Sequence, residues 1–353
     1  MSVKKAKKVF SWDQYHERQI ALRINYLGCD LKGFVHQQTT TETVENYLFQ
    51  AFERARLIKD RNDCHYSLCG RTDAGVSGIG NVISIRVRSV YPYGTGSIKN
   101  EGAPIKEEEI NYVQILNGIL PPIIRVTAIA YVNPDFNARF ECTSRSYRYL
   151  FHLFDMDIEK MREAASYLIG THDYRNFCKF SPSNTTHCIR EIYSIDFNEI
   201  NDGVWYFQIC GSGFIWHQIR CIAAILFLIG QGLEEPSLVT ELLDINKFPG
   251  RPQYQIADPE PLVFWMAEYD NLEWKESNEP TGKFKFAFNE MLKKENIKCA
   301  LLTFFNGGKA FKSEGPKSYT PVAKLQQCKS VEELIEEYRK EKDEQQENDE
   351  GFE

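Results

Sequence analysis

The sequence has no hydrophobic run long enough to cross a membrane. Its most apolar stretch, CIAAILFLIGQG (221–232), is shorter than the roughly 20 residues that a spanning helix needs and directly follows Arg220. The N-terminal residues, MSVKKAKKVFSWDQ, contain no apolar segment of the kind that a secretory signal carries. We therefore expect a soluble intracellular protein without a membrane partner, located in the nucleus, the cytoplasm or both.

The ten cysteines form no C-x-x-C pair, so the sequence indicates reduced thiols rather than a disulfide framework. The group that comes nearest to a metal-binding cluster is His172, Cys178, His187 and Cys188, and its spacing matches no usual zinc pattern. The sequence also lacks a P-loop, a G-x-S-x-G elbow, an H-E-x-x-H helix and a dinucleotide-binding fingerprint. We expect neither a metal nor a cofactor.

An excess of positive charge is absent overall, since 49 acidic residues outnumber 42 basic ones and give a net charge of −7. Residues 331–353 hold eleven acidic and three basic residues, so the other 330 residues carry a net charge of +1. We interpret 331–353 as a solvated acidic tail. Arginines cluster elsewhere: Arg139, Arg145 and Arg148 lie among aromatic residues in NARFECTSRSYRYLF. That combination suits phosphate contact and base stacking, although exposed strands also use arginine for solubility.

The hydrophobic pattern predicts an α/β protein with two similar halves. Strand patterns such as RQIALRINYLG and NVISIRVRS alternate with helix patterns such as TVENYLFQAFERARLI and KEEEINYVQILNGIL. The helix IWHQIRCIAAILFLIGQG is apolar nearly all round, which predicts a place in the interior or at a subunit contact. Helices packed on a sheet in each half would leave a cleft between the halves for a ligand. We expect a basic N-terminal arm (1–17), an N-terminal half (18–155), a C-terminal half (156–330) and the acidic tail (331–353).

One loop carries more chemistry than a turn requires. In CGRTDAGVSGIG (69–80), Arg71 and Asp73 stand two residues apart between two predicted strands. Asp and Gly are common turn residues, so turn chemistry alone is one interpretation. A functional carboxylate is the other. Arg220 lies in an apolar helix, where a guanidinium needs a carboxylate partner, and Asp73 is one candidate. His217, on the same helix, is by default a packed core histidine.

Four motifs resemble those of the TruA-type tRNA pseudouridine synthases. The loop CGRTDAGVSG is similar to that family's signature loop, and YLGCDLKGFVHQ is similar to its first motif. FNARFECTSRSYRY and GFIWHQIRCIAAILFLIGQG resemble two later family motifs, and all four occur in family order within residues 20–270. The resemblance implies the pseudouridine synthase fold, in which two α/β halves share a mostly antiparallel sheet with a central RNA-binding cleft. It also implies an isomerase that needs no metal, nucleotide or redox carrier.

The resemblance assigns roles residue by residue. Asp73 would be the essential carboxylate, which either attacks C1′ as a nucleophile or removes a proton from C2′. Tyr147 would stack on the flipped uracil, although Tyr149 projects to the same face of its strand and alternation does not separate the two. Arg220 would keep Asp73 ionised, and Arg71 would either brace the loop or bind a phosphate.

The remaining predicted substrate contacts are Arg139, Arg145, Arg148 and His217. The sequence departs from the family pattern at Ser77, where the family has histidine, and near Leu31 and Lys32, where an aromatic residue is replaced. These departures affect expected substrate contacts and leave the expected reaction unchanged.

Within the family, HQIRCIAAILFLIGQG, PGRPQYQIADPEPLVF and SYTPVAKLQQCKSVEELIEEY most resemble eukaryotic members that modify positions 38 and 39 of the tRNA anticodon arm. The alternatives are other tRNA or non-tRNA uridines, or a non-catalytic RNA-binding protein on the same scaffold, whose hallmark would be a lost aspartate. Several family members are dimers, so a homodimer is a further expectation. No function follows from the acidic tail or from residues 271–315.

Overall fold

The computed structural model describes residues 10–183, 187–201, 203–277, 282–305, 307 and 318–350. The chain divides into two compact units: residues 1–143 with 264–297, and residues 144–263 with 298–353. The division falls before the predicted boundary at residue 155. Residues 264–297 belong to the first unit, although they follow the second unit in sequence. Of the predicted N-terminal arm, residues 1–9 lie outside the described part of the chain.

The strands and helices of the described residues follow the predicted alternation. The strands are β1 (His16–Tyr26), β2 (Ser67–Leu68), β3 (Ser77–Ser89), β4 (Ser97–Ile98), β5 (Ile124–Tyr131), β6 (Cys142–His152), β7 (Gly170–Asp173), β8 (Ile189–Asn201), β9 (Val204–Gly211), β10 (Leu262–Tyr269) and β11 (Lys275–Glu276). The helices are α1 (Val44–Arg54), α2 (Tyr112–Ile119), α3 (Ile158–Ser166), α4 (Gln218–Gly230), α5 (Leu238–Leu243), α6 (Gly282–Phe305) and α7 (Val331–Glu350).

The first unit is built on a sheet in the order β11-β5-β1-β3-β10, with β2 beside β3 and β4 beside β1. Strand β1 runs antiparallel to both β3 and β5. The apolar faces of α1 and α2 lie over this sheet, so that Leu48, Phe52 and Leu116 share one core with Leu22 and Ile24. The helical spacing of apolar residues in α1 therefore predicted its buried face correctly.

Helix α2 is shorter than the sequence pattern predicts. The pattern indicates a start near Lys106, whereas the helix begins after Asn111, whose side chain accepts a hydrogen bond from the Gln114 amide. Glu109 is occupied elsewhere: its carboxylate accepts from the Val90 and Ile110 amides and pairs with buried Arg18 at 2.9 Å. These long-range bonds override local helix propensity.

The second unit has a sheet in the order β6-β9-β8-β7, with each neighbouring pair antiparallel. Helix α4 is buried along ten of its thirteen residues, which confirms the prediction that it lies in the interior. Helix α3 packs on α4 so closely that a Cβ added at Gly230 would lie 2.7 Å from the Met161 sulfur. Both units combine helices with antiparallel strands, which confirms the predicted α/β class.

Residues 331–350 of the predicted acidic tail form helix α7, and most of its described side chains are exposed. At the start of this helix, the Ser330 amide donates to the Glu333 carboxylate at 2.7 Å. The Glu333 amide donates to the Ser330 hydroxyl at 3.2 Å. Glu332 pairs with Arg175, and Val331 is buried. Composition alone missed this helix because a single capping box and one ion pair order its first turn.

Helix α6 covers much of the segment 271–315 to which the sequence assigned no role. Many of its apolar side chains are exposed, among them Phe286, Leu301 and Phe305. Across the described residues, no helix combines the length and apolar character that crossing a membrane requires.

Candidate functional site

The loop between β2 and β3 presents Asp73 at the edge of the first unit. Its side chain is half-buried, Arg71 before it is exposed, and Thr72 between them is buried. The Val76 amide donates to the Asp73 carbonyl at 3.2 Å, and Gly75 has a φ of +85°. The turn chemistry that the sequence indicates is therefore present, and this turn carries an exposed Arg71 and a half-buried Asp73.

The first motif holds this loop in place, and we name residues 26–34 the bracing segment. Three hydrogen bonds join the two: the Phe34 amide donates to the Thr72 carbonyl at 3.1 Å, the Gly75 amide to the Leu31 carbonyl at 3.1 Å, and the Gly28 amide to the Ser77 hydroxyl at 2.9 Å. The loop that carries Asp73 is thus fixed along its length by main-chain groups of a distant part of the sequence.

Two glycines make this close approach possible. A Cβ at Gly28 would lie 2.1 Å from the Val76 carbonyl oxygen, a distance that atoms cannot adopt. Gly33 has a φ of +101°, and its Cβ would lie 3.0 Å from the Thr72 carbonyl oxygen. The bracing segment therefore requires glycine at both positions for backbone reasons.

The departures from the family pattern lie inside this frame. Ser77 accepts the Gly28 amide through its hydroxyl, and Leu31 is buried with its carbonyl bonded to Gly75. Lys32 is exposed, and its amide donates to the Glu42 carbonyl. In this chain Ser77 and Leu31 hold the loop.

A buried row of polar groups lies behind the loop, and sequence patterns gave no sign of it. The Tyr26 hydroxyl is 2.9 Å from the Thr72 hydroxyl, and the Asn81 amide group donates to the Gly70 carbonyl at 2.8 Å. The same Asn81 group lies 3.3 Å from the Tyr26 hydroxyl. Burial raises the pKa of Tyr26 to about 12. This row ties both neighbours of Arg71 to the core.

The two tyrosines of β6 have different surroundings in the second unit. Tyr149 donates its hydroxyl to the Asp258 carbonyl at 2.9 Å and stacks on Phe207 with a ring separation of 5.7 Å. Burial raises the pKa of Tyr149 above its ordinary value. Tyr147 is also buried and meets Phe214 edge-on at 5.3 Å. Tyr149 is thereby a core residue, as the packing interpretation of the motif expects.

Arg220 lies in the first turn of α4 and is half-buried. Its Nε donates to the Ala257 carbonyl at 2.8 Å. The next residue, Asp258, accepts the Tyr149 hydroxyl, so Arg220 and Tyr149 both hold the segment before β10. The expected ion pair between Arg220 and Asp73 joins residues of different units and stays a prediction.

The predicted contact residues on β6, Arg145 and Arg148, form hydrogen bonds within their own unit, and Arg139 lies before this strand. Arg145 donates to the Ser212 carbonyl at 3.0 Å. Arg148 donates to the Gln208 side chain at 2.8 Å and lies 4.4 Å from the Tyr206 ring centroid. Because strand side chains alternate, Arg148 is on the opposite face of β6 from Tyr147. Arg139 is exposed and lies over the exposed ring of Phe140.

His217 does not belong to the helix interior, as its default interpretation supposes. It is the residue before α4 and has a φ of +64°, in the left-handed region. Its ring packs on Trp216 with a centroid separation of 4.4 Å. Trp216 is 48% exposed, and the Lys179 ammonium lies 5.7 Å from its ring centroid. No sequence motif singles out Trp216, whose exposure next to a cation marks it as a candidate RNA contact.

The described histidine and cysteine residues of 172–188 lie among close local partners. His172 Nε2 lies 3.0 Å from the Ile169 carbonyl oxygen, and Asp173 pairs with Arg175 at 2.8 Å. Cys178 and Cys188 are buried free thiols. In the part of the chain that the structure describes, no three His, Cys, Asp or Glu residues group so as to hold a metal ion.

Comparison with known proteins gives a consistent result. The family model described as tRNA pseudouridine synthase matches residues 164–270. The chain is 43% identical over 286 residues to the tRNA pseudouridine(38/39) synthase of Homo sapiens, covering 76% of this chain and 59% of that protein. It is 38% identical over 312 residues to the protein of the same name from Saccharomyces cerevisiae, covering 86% and 70%. The chain thus spans less than two thirds of the human relative's length.

A more distant relative is covered almost fully. The chain is 33% identical over 284 residues to tRNA pseudouridine synthase A of Methanosphaera stadtmanae, covering 79% of this chain and 92% of that protein. Among solved structures, a chain in the structure of an H/ACA RNP bound to a substrate RNA matches with a TM-score of 0.30 and 12% identity. The match covers 62% of this chain and 45% of that chain. That likeness is too low to support an argument.

Proposed function

Because the chain belongs to the tRNA pseudouridine synthase family, we propose that it isomerises uridine to pseudouridine at positions 38 and 39 of the tRNA anticodon arm. The names of relatives at 38–43% identity support these positions. The observation that carries the proposal is Asp73 itself: the family's signature loop keeps its carboxylate, and the bracing segment holds that loop rigidly.

The reaction breaks the N1–C1′ bond of uridine and forms a C5–C1′ bond, after which the proton on C5 moves to N1. All atoms of the substrate are retained, and no electrons leave it, so the isomerisation needs no co-reactant. The target uridine has to leave its stack before C1′ becomes accessible. A carboxylate suits this site because aspartate is ionised at neutral pH and stabilises positive charge that develops at C1′.

Three side chains divide the work in this proposal. Asp73 attacks C1′ or removes the C2′ proton, Tyr147 packs against the extruded uracil, and Arg220 keeps Asp73 ionised. A half-buried Arg220 suits this role because its Nε donates to the Ala257 carbonyl, which fixes the position of the guanidinium.

Exposed pairs of an aromatic ring and a cation favour RNA as the substrate. Trp216 carries Lys179 beside its ring, and Phe140 carries Arg139. Such pairs can stack on an unpaired base and contact the adjacent phosphate at the same time. They support RNA contact in either unit without depending on overall charge.

The test uses anticodon-arm transcripts that contain uridine at 38 and 39, at one of them, or at neither. We expect pseudouridine at each position that retains uridine and none in the transcript that lacks both. Modification of other uridines instead would place the enzyme in the same family with a different target. Tight RNA binding without any pseudouridine in these or in full-length tRNA would favour the non-catalytic alternative. The homodimer and the nuclear or cytoplasmic location stay predictions; light scattering of the purified chain tests the homodimer.

A further inference from the structure

We propose that the buried hydroxyl of Tyr26, together with Thr72 and Asn81, positions Asp73 for catalysis. The proposal rests on the function proposed above, in which Asp73 acts at C1′. None of the three side chains contacts substrate in this account. They act through the loop that carries Asp73, as positioning residues.

The three residues come from different parts of the first unit and meet in its interior. Tyr26 is the last residue of β1, Thr72 lies in the loop, and Asn81 lies in β3. Their exposed fractions are 3%, 9% and 0%. The distances are 2.9 Å from the Tyr26 hydroxyl to that of Thr72 and 3.3 Å from the Asn81 amide nitrogen to the Tyr26 hydroxyl. The row therefore runs from the sheet to the residue adjacent to Asp73.

The hydrogen bonds of Asn81 define a direction for the row. Its amide nitrogen donates to the Gly70 carbonyl and to Tyr26, while its oxygen accepts from the Val82 amide. Because Tyr26 accepts from Asn81, its own proton is available for Thr72. Each member thus makes bonds that fix its orientation, which a half-satisfied buried group would not do.

The row controls the two residues that flank Arg71 and so determines which way the loop faces. Gly70 is held by its carbonyl, and Thr72 is held by its side chain and by its carbonyl, which accepts from the Phe34 amide. Since Thr72 is fixed by these bonds, the main chain of its neighbour Asp73 starts from a fixed position. The ring of Tyr26 packs on Phe34 at 5.4 Å, so packing persists when the hydroxyl is removed.

A phenylalanine at position 26 would fill the same space without burying a polar group. A buried hydroxyl that has to be satisfied by two partners is a costly choice for a packing role alone. Orientation of a catalytic group is a stronger reason, because a displacement of about 1 Å at a reacting atom lowers rates by roughly a hundredfold.

The test compares Tyr26→Phe with Tyr112→Phe as a matched control. Tyr112 is 1% exposed, lies in the same unit and donates its hydroxyl to the Arg88 carbonyl at 3.0 Å, so its loss removes one buried hydrogen bond where Tyr26→Phe removes two. Both variants should lower Tm. Only Tyr26→Phe should lower kcat, by about 10- to 100-fold, with KM unchanged within about twofold.

Thr72 provides a second route to the same answer. Thr72→Val removes the hydroxyl at nearly constant shape and should lower kcat as Tyr26→Phe does. Thr72→Ser keeps a hydroxyl and should retain most of the wild-type kcat. The double variant of Tyr26→Phe and Thr72→Val should be no slower than the slower single variant, because both substitutions remove the same hydrogen bond between Tyr26 and Thr72. Equal kcat values for Tyr26→Phe and Tyr112→Phe, or full additivity in the double variant, would overturn the proposal.

Hydrogen exchange separates this proposal from the proposed function. The amides of Gly75 and Val76 are bonded to Leu31 and Asp73, so they should exchange faster in Tyr26→Phe and unchanged in Tyr112→Phe. If the wild-type protein forms no pseudouridine in any RNA tested, the function fails, while exchange still decides whether the row orders the loop. Unchanged exchange in Tyr26→Phe would refute the positioning role whatever the activity.

Discussion

Thr72 and Asp73 are consecutive residues with opposite surroundings. Thr72 is buried against Tyr26, and Asp73 is half-buried at the edge of the loop. The signature motif therefore places an anchoring residue directly before the carboxylate that the proposed reaction uses. The turn that the sequence indicates is present, and the catalytic role of Asp73 stays a proposal.

Trp216 supplies a prediction at the scale of a single side chain. Trp216→Ala should raise the Kd for anticodon-arm RNA by about 5- to 100-fold, because loss of one base–aromatic stack has that effect. Trp216→Phe should keep most of the affinity. Filter binding or fluorescence anisotropy measures both.

Tyr193, an exposed aromatic residue on β8, is the control for this experiment. Tyr193→Ala should leave Kd within about twofold of the wild-type value, since surface substitutions away from a binding site have small effects. A Trp216→Ala protein that binds RNA as tightly as wild type would show that Trp216 is a surface residue without a role in RNA contact.

Asp73, Tyr147 and Arg220 could be predicted as site residues because short motifs and their order carry that information, and their roles stay predictions. It did not identify Tyr26 or Asn81 as partners of the loop. Tyr26 lies 46 residues from Thr72 and 55 from Asn81, and a hydrogen bond over that separation leaves no local pattern. Trp216 was missed for a different reason, since exposure depends on packing that a helix pattern does not reveal.

At the scale of elements, the bracing segment explains why the first motif contains two glycines. Gly33→Ala should destabilise the protein by about 2 kcal/mol, because it combines a left-handed backbone with a close contact to the Thr72 carbonyl. The same change should also lower kcat by shifting the loop. Chemical denaturation and steady-state kinetics measure the two effects.

Gly102 is a matched control because it has a φ of +88° and no atom within 4 Å of its Cβ position. Gly102→Ala should cost about 1 kcal/mol of stability from the backbone alone and leave kcat unchanged. If the two substitutions have equal effects on stability and on kcat, contact between the bracing segment and the loop is not important.

Element boundaries show where local patterns fail. The start of α2 was predicted too early because the Glu109 carboxylate pairs with Arg18 and accepts from the Val90 and Ile110 amides. The acidic composition of residues 331–353 did not reveal helix α7, whose first turn is ordered by the capping box at Ser330. In contrast, α1 and α4 followed their apolar spacing, since burial of those faces dominates their stability.

At the scale of the whole molecule, buried tyrosines predict alkaline sensitivity. Burial raises the pKa values of Tyr26, Tyr112, Tyr174 and Tyr254, that of Tyr26 to about 12. A raised pKa in the folded state means that this stability is fully present below the unfolded value of about 10. It is lost as pH rises through the folded values, so unfolding should begin above pH 10.

Absorbance at 295 nm and far-UV circular dichroism, recorded together against pH, measure this effect. One group of tyrosines should ionise with structure intact, and a second group should ionise together with loss of the circular dichroism signal. In concentrated guanidinium chloride all tyrosines should ionise in one step. Ionisation of all of them near pH 10 in a protein that keeps its structure would contradict the burial described here.

The most direct measurement is single-turnover pseudouridine formation by Asp73→Asn, together with its Kd for anticodon-arm RNA. The substitution keeps the shape of the side chain and removes its charge. Turnover should fall at least about a thousandfold while Kd stays within about twofold of wild type, because phosphate contacts dominate RNA affinity. Activity above about a thousandth of the wild-type rate would contradict the central claim that the Asp73 carboxylate carries the reaction.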